Sequence, residues 1–145
     1  MSRVNLSKKH PAVYQRMTAL NGAAQDAVTS AGLDPKLVEL VKIRVSQING
    51  CAFCLRMHTR DAVALGETGV RLAVLAAWWE SQYFSATEQA ALALAEQVTR
   101  LSVPERADLD TSALTEEQIS AVSWLAVVMN SWNRIAIRSG YPVGP

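Results

Sequence analysis

The sequence predicts an all-α fold, a single-domain bundle of about six helices that spans residues 1–145. Apolar residues recur every three or four positions along most segments, a spacing that gives a helix one apolar face. Capping patterns begin several of these segments and glycines end them. With 145 residues, 50% of them hydrophobic, the chain can bury one sizeable core, and a second domain is not expected.

The first two long helices have clear start and stop signals. Pro11 opens the first, after a polar arm in which His10 is expected to be solvated, and Gly32 ends it. Asp34-Pro35 predicts the second start, because a carboxylate caps free N–H groups and proline fits the first helical position. Asn49-Gly50 is expected to end that helix, since both residues tolerate left-handed backbone.

The later elements are predicted by the same signals. A third helix is expected over about 52–65, followed by an apolar segment over 70–79. The aromatic residues at its end are more typical of core or subunit contacts than of the wall of an apolar substrate pocket, the alternative interpretation. Two capping boxes, Ser85 to Glu88 and Thr115 to Gln118, open two further helices. The polar stretch over 105–113 between them is the longest predicted loop.

Charge and hydropathy argue against two classes of partner. The net charge is +1, from 14 basic and 13 acidic residues spread along the chain, so we expect neither nucleic acid nor an anionic membrane surface as a partner. The N-terminus has no apolar signal region, and no stretch approaches a membrane span free of charge. A soluble, cytoplasmic protein is therefore expected.

The last predicted helix is apolar nearly all round between Ala121 and Met129. In so short a chain, a helix without a polar face is usually buried centrally or shared between subunits. We therefore expect a homo-oligomer, in which Asn133-Arg134 would cap or bridge rather than take part in chemistry.

Both cysteines of the sequence follow the turn at Gly50. Cys51 and Cys54 fall in the first turn of the third helix, where Cα atoms about 5 Å apart allow a disulfide. The free N–H groups and the helix dipole are expected to lower the pKa of one or both thiols. In a reducing cytosol, such a C-x-x-C pair indicates redox chemistry or a metal site.

Two further residues complete the predicted site. His58 follows Cys54 by one helical turn, so the imidazole could serve that thiol as a base, directly or through one water. If the helices on either side of Gly50 form an antiparallel hairpin, Glu39 lies level with His58 to within about one turn and could orient it. From periodicity alone, Glu39 could equally be a solvated carboxylate or the partner of Lys42.

With these residues, the chain resembles the alkylhydroperoxidase D-like core of the carboxymuconolactone decarboxylase superfamily. The resemblance rests on Glu39, on Cys51-x-x-Cys54-x-x-x-His58 and on the segment 44–50 that leads into it, and it is dense over about 33–66. It implies a helical fold, a redox-active cysteine pair and assembly into trimers or hexamers. It also implies that Cys54 is the attacking thiol, Cys51 the resolving thiol, His58 the base and Glu39 its partner. The sequence departs at Phe53, where well-known peroxidase members carry a histidine.

The leading interpretation is a thiol peroxidase or disulfide oxidoreductase that reduces a small hydroperoxide without a cofactor or metal. By resemblance, its electron donor would be a lipoyl-type or thioredoxin-like dithiol. A second interpretation is a zinc site built from Cys51, Cys54 and His58, with Glu39 as an optional fourth ligand. The others are a cofactor-free decarboxylase or lactone-opening enzyme, in which His58 alone would be the base, and a protein whose cysteine pair only senses oxidants.

Overall fold

The computed structural model describes residues 2–101 and 110–145, and every element in these residues is helical. The helices are α1 (Leu6–Lys9), α2 (Pro11–Ser30), α3 (Pro35–Asn49), α4 (Ala52–Ala64), α5 (Gly69–Val74), a 3-10 helix (Leu75–Glu80), α6 (Ala86–Arg100) and α7 (Glu116–Ser139). The all-α, single-domain prediction is confirmed. Residues 105–109 of the predicted loop lie outside the described residues.

The predicted caps form as expected. The side chain of Asp34 accepts a hydrogen bond from the N–H of Lys36 at 2.7 Å, at the start of α3. Both capping boxes are present, since Ser85 and Thr115 each accept from the third residue of α6 and α7 and that residue bonds back to the cap. Side-chain capping therefore fixes where these helices begin.

Two elements differ from the prediction. The polar arm contains the single-turn α1, because Asn5 caps it and the N–H of Leu6 donates to Oγ of Ser139 at 3.1 Å, which ties the arm to α7. The predicted segment over 70–79 is divided between α5 and the 3-10 helix, with a kink at Ala77. Beyond the kink, Trp78 is buried and its Nε1 donates to Glu96 at 2.9 Å.

Helix α3 lies at the centre of the bundle and packs against α4, α6 and α7, while α2 packs against α7. The larger of two buried apolar clusters joins α3, α6 and α7 and includes both cysteines. The smaller cluster surrounds Leu40, Leu75 and Leu92. The two thiols therefore lie in the core rather than at an open surface.

Helix α7 is only partly covered. Most of its apolar residues are buried, yet Trp124 is 52% exposed and Val127 41%. The predicted homo-oligomer remains a prediction. Of the four clustered aromatic residues after α5, Trp78 and Phe84 lie in the core, and Trp79 and Tyr83 are exposed. None of the described helices has both the length and the apolar character needed to cross a membrane.

Candidate active site

The cysteine pair lies where two helices of a hairpin meet. Helix α3 ends at Gly50, whose φ of 68° is the left-handed conformation that the sequence predicts there. Cys51 is then the N-cap of α4, and its Sγ accepts a hydrogen bond from the N–H of Cys54 at 3.4 Å. The predicted position of the pair, at the start of the second helix of the hairpin, agrees with this geometry.

Both cysteines are free thiols and both are buried, Cys51 at 1% exposure and Cys54 at 2%. Burial, together with the neighbouring Cys51 thiol, raises the pKa of Cys54 to about 12. The expectation of a lowered pKa is therefore wrong for Cys54. The N–H of Cys54 donates to Sγ of Cys51, and removal from water disfavours the charged form of Cys54 more strongly than the backbone N–H favours it. Cys54 is therefore a neutral thiol in this arrangement.

A buried carboxylate and imidazole face each other across the hairpin. Oε2 of Glu39 on α3 lies 2.8 Å from Nδ1 of His58 on α4, and both residues are only 7% exposed. Nζ of Lys42 donates to the other carboxylate oxygen of Glu39 at 2.7 Å. The alternative of a solvated Glu39 is wrong, whereas its pairing with Lys42 occurs in addition to the contact with His58. Glu39 lies at the contact between α3 and α4. The apolar pattern of α3 alone cannot predict its burial, because that burial depends on the neighbouring helix.

Electrostatics keeps Glu39 ionised. Burial alone would raise the pKa of its carboxyl, but hydrogen bonds from His58 and Lys42 outweigh burial and hold that pKa below its usual range. An ionised carboxylate can only accept, so Nδ1 of His58 carries the hydrogen of this bond. In the neutral imidazole, Nε2 then has the lone pair that a general base requires.

His58 shares a buried face of α4 with Cys54, one turn away, as the sequence predicts. Within the described residues, however, no hydrogen bond joins His58 directly to either cysteine. Relay of the proton through one water, the second form of the prediction, remains a prediction.

The zinc interpretation receives no geometric support from the described residues. There, the donors close enough to share an ion are Glu39, His58 and Asp61, all within 4.8 Å of one another, and neither cysteine joins them. Asp61 is exposed, and Lys42 already places a positive charge on Glu39. The four predicted zinc ligands are therefore not brought together.

The sequence predicts that Asn133 caps or bridges in an oligomer and does not reveal the group of buried polar residues that it forms inside the chain, at the end of α3. Asn133 on α7 is fully buried, donates to Oγ of Ser46 at 3.0 Å and accepts from Asn49 at 2.9 Å. The Asn133 side chain partly offsets the rise that burial causes in the pKa of Cys54. Asn133 follows Met129 by four residues on the apolar stripe of α7, and a polar side chain at such a core position was the available signal.

The profile of the Carboxymuconolactone decarboxylase family matches residues 11–97, well over half of the chain. The chain belongs to this family. The matched region contains Glu39, Cys51, Cys54 and His58 but ends before Asn133. The chain is also similar to a protein from Bacillus subtilis (strain 168) known as uncharacterized protein YdfG, at 44% identity over 108 residues, which cover 70% of this chain and 72% of YdfG.

Among solved structures, the chain resembles ATU0492 from Agrobacterium tumefaciens, a protein of unknown function described as a candidate antioxidant defence protein AhpD. The two are 31% identical, the alignment covers 99% of this chain and 100% of ATU0492, and the TM-score is 0.82. The AhpD-like fold predicted by resemblance is thereby confirmed.

In this chain an aromatic residue, Phe53, stands between the two cysteines and makes an aromatic contact. The ring of Phe53 packs edge-on against Tyr141, with centroids 5.0 Å apart, and the guanidinium of Arg56 lies 5.8 Å from the Phe53 centroid. Arg56 also donates to the carbonyl of Gly144 at 3.1 Å. The C-terminal segment 141–144 is thus held against the first turns of α4, next to the thiols.

Proposed function

We propose that this family member is a thiol-dependent peroxidase of the disulfide-oxidoreductase type, acting in antioxidant defence. The observation that carries the proposal is the buried Glu39–His58 pair on the same hairpin as the cysteine pair. A carboxylate that fixes the tautomer of an imidazole supports general-base chemistry on a neighbouring thiol. Family membership and the likeness to ATU0492 support the same general role.

The base has a specific task in this protein. Because Cys54 is a neutral thiol, it must lose its proton at the moment of attack. His58 would accept that proton at Nε2, and Glu39 would stabilise the imidazolium that results. The proposed task of the buried Glu39 carboxylate is therefore to support the base that deprotonates an uncharged thiol.

The proposed reaction proceeds in three steps: oxidation of Cys54, formation of a disulfide and reduction of that disulfide by a donor. The Cys54 thiolate attacks the terminal oxygen of a hydroperoxide ROOH, the O–O bond breaks, and the departing oxygen takes a proton and leaves as ROH. Cys54 is now a sulfenic acid, which the Cys51 thiol attacks to form the disulfide and release water. A dithiol donor then reduces the disulfide by two thiol exchanges, so the sum is ROOH plus dithiol to ROH, water and donor disulfide.

The proposed substrate and electron donor are defined by their chemical class. We propose a small hydroperoxide as substrate, since the thiols are buried, and a lipoyl- or thioredoxin-type dithiol as donor. We also propose a homo-oligomer, trimer or hexamer, in which subunits cover Trp124 and Val127 of α7. Light scattering of the purified protein measures the number of subunits. A monomeric mass would contradict the proposed trimer or hexamer. The cytoplasmic location expected from the sequence stays a prediction.

Turnover with defined donors tests the proposed function. The purified wild-type protein is mixed with cumene hydroperoxide and either dihydrolipoamide or reduced thioredoxin, and consumption of the peroxide is followed. We expect catalytic turnover with one donor, its loss in Cys54→Ser, and single-turnover oxidation without turnover in Cys51→Ser. Wild-type protein that consumes one equivalent and stops with both donors would support an oxidant sensor instead. An activity on a lactone or carboxylate substrate that survives in Cys54→Ser would support the decarboxylase.

A further inference from the structure

Side chains tie the turn that precedes Cys51 to α7. Asn49, the last residue of α3, donates through Nδ2 to the side-chain oxygens of Asn130 and Asn133, each at 2.9 Å. Asn130 and Asn133 lie one turn apart on α7, so a single amide group of α3 reaches both of them. Asn49 thus uses both of its side-chain N–H groups to join the end of α3 to α7. We call these three residues the asparagine cluster.

A second tie holds the same segment one turn earlier. Nδ2 of Asn133 donates to Oγ of Ser46 at 3.0 Å, and that hydroxyl donates to the carbonyl of Lys42 at 2.8 Å. Ser46 and Asn133 are both 0% exposed. Buried polar groups are costly to leave without partners, so these hydrogen bonds hold Ser46 against α7.

The backbone carries this restraint from α3 to Cys51. The N–H of Cys51 donates to the carbonyl of Ser46 at 3.0 Å, across the left-handed turn at Gly50. Cys51 is also the N-cap of α4, with its Sγ accepting from the N–H of Cys54. The position of the Cys51 sulfur over the first turn of α4 therefore depends on a turn that is held to α7 at Ser46 and at Asn49.

We propose that the asparagine cluster positions Cys51 for disulfide formation with Cys54. This inference deepens the proposed function and rests on the two cysteines forming a disulfide. A disulfide within one chain forms more readily when its two sulfurs spend more time close to bonding geometry. Because the turn before Cys51 is held to α7 in the dithiol, less conformational freedom is lost when the S–S bond forms. Loss of the ties should therefore disfavour the disulfide relative to the dithiol.

The reduction potential of the cysteine pair tests this role. The purified protein is equilibrated, from both the reduced and the oxidised state, in graded mixtures of reduced and oxidised glutathione. In this exchange the protein dithiol and one oxidised glutathione give the protein disulfide and two reduced glutathiones. Alkylation followed by mass spectrometry measures the disulfide fraction. We expect Asn49→Ala to lower the equilibrium constant for disulfide formation about tenfold, which raises the reduction potential by about 30 mV.

Asn21→Ala is the matched control. Asn21 on α2 accepts a hydrogen bond from Nε1 of Trp132 at 3.0 Å, so it also ties another helix to α7, but not the turn before Cys51. We expect this variant to keep the wild-type potential. A loss of stability that is equal in the dithiol and the disulfide forms does not change the potential, so the measurement separates positioning of Cys51 from general support of the fold.

Asn130→Ala is a milder second variant. It removes one of the two contacts of Asn49 and leaves the contact between Asn133 and Ser46 in place. We expect the equilibrium constant for disulfide formation to fall about threefold, which raises the potential by about 14 mV. This variant decides the test if Asn49→Ala does not fold.

An unchanged potential in the deciding variant would overturn the role of the asparagine cluster, and so would an equal shift in Asn21→Ala. The measurement needs no peroxide, so it is independent of turnover. Expected potentials in a protein that does not consume peroxide would remove the proposed function and support the positioning role. Peroxide turnover with unchanged potentials in the variants would remove the positioning role alone. A wild type that forms no disulfide at any glutathione ratio would remove both.

Discussion

Oε2 of Glu39 lies 2.8 Å from Nδ1 of His58 and joins the two helices of the hairpin on the side that carries the thiols. The contact fixes the imidazole tautomer, and the carboxylate is kept ionised by His58 and Lys42. Substitutions at this pair and around it test whether it serves Cys54.

Glu39→Gln should lower kcat/KM for cumene hydroperoxide by about 10²-fold, because the amide no longer stabilises an imidazolium. Asp61→Asn is the matched control: its carboxylate also approaches His58, at 3.9 Å, but it is exposed. Steady-state kinetics of the two variants, with melting curves to confirm folding, measures the effect. Equal losses in both variants would show that general charge near His58, and not the Glu39 contact, matters.

Acid should destabilise the fold through Glu96. Burial alone would raise the pKa of Glu96, but hydrogen bonds from Trp78 and Arg44 hold it below its usual range. A carboxyl with a depressed folded-state pKa stabilises the fold above its unfolded value, and this stabilisation is lost as the pH falls through the folded value. The loss is therefore expected below about pH 4.5.

Glu96→Gln tests this prediction. At pH 7 it should cost about 3 kcal/mol, because the buried guanidinium of Arg44 loses its 2.6 Å partner. The variant should lose less further stability than the wild type between pH 6 and pH 3. Urea unfolding at several pH values measures both effects, with the exposed Glu80→Gln as control. An unchanged pH slope in Glu96→Gln would contradict the assignment.

Much of this fold could be predicted from local signals. Capping boxes at Ser85 and Thr115 and the stop at Gly50 depend on a few neighbouring residues, and the structure contains all three. The kink at Ala77 could not be predicted, because it depends on burial of Trp78 against α6, which no local pattern encodes.

Some features of the candidate site could also be predicted from local spacing, whereas others depend on residues distant in sequence. Helical spacing predicts that Cys54 and His58 share a face, and the hairpin brings Glu39 level with His58. The raised pKa of Cys54 comes first from its burial in the core, which is built by several helices, and the position of Asn133 depends on α7, which is distant in sequence from the cysteines. Spacing around the C-x-x-C carries no information about that helix.

Access to the thiols should depend on the C-terminal segment. Tyr141→Ala removes the edge-on contact with Phe53, and such aromatic pairs contribute about 0.5–1.5 kcal/mol. Local opening should become about three- to tenfold more frequent, and reaction with Ellman's reagent should accelerate by that factor. Tyr83→Ala, an exposed tyrosine elsewhere, should react at the wild-type rate. An unchanged rate in Tyr141→Ala would show that the segment does not limit access.

Leu101 ends α6 with a φ of 52°, and it is the one residue other than glycine with positive φ among those described. Its side chain is exposed, so Leu101→Gly should relieve strain at little cost in packing and stabilise the fold by about 1 kcal/mol. Gly32→Ala is the reverse experiment, since Gly32 has φ 69° and open space around its Cα. It should destabilise by a similar amount, and urea midpoints measure both. A lower urea midpoint for Leu101→Gly than for the wild type would contradict the claim that the backbone is strained at Leu101.

The most direct test of the central claim is a thiol count on freshly reduced, metal-free protein before and after one equivalent of cumene hydroperoxide. The account predicts that the wild type loses two thiols and gains a Cys51–Cys54 disulfide, and that Cys51→Ser traps a sulfenic acid on Cys54. Retention of both thiols after a full equivalent of peroxide would contradict it, as would a sulfenic acid trapped on Cys51 in Cys54→Ser but none on Cys54 in Cys51→Ser.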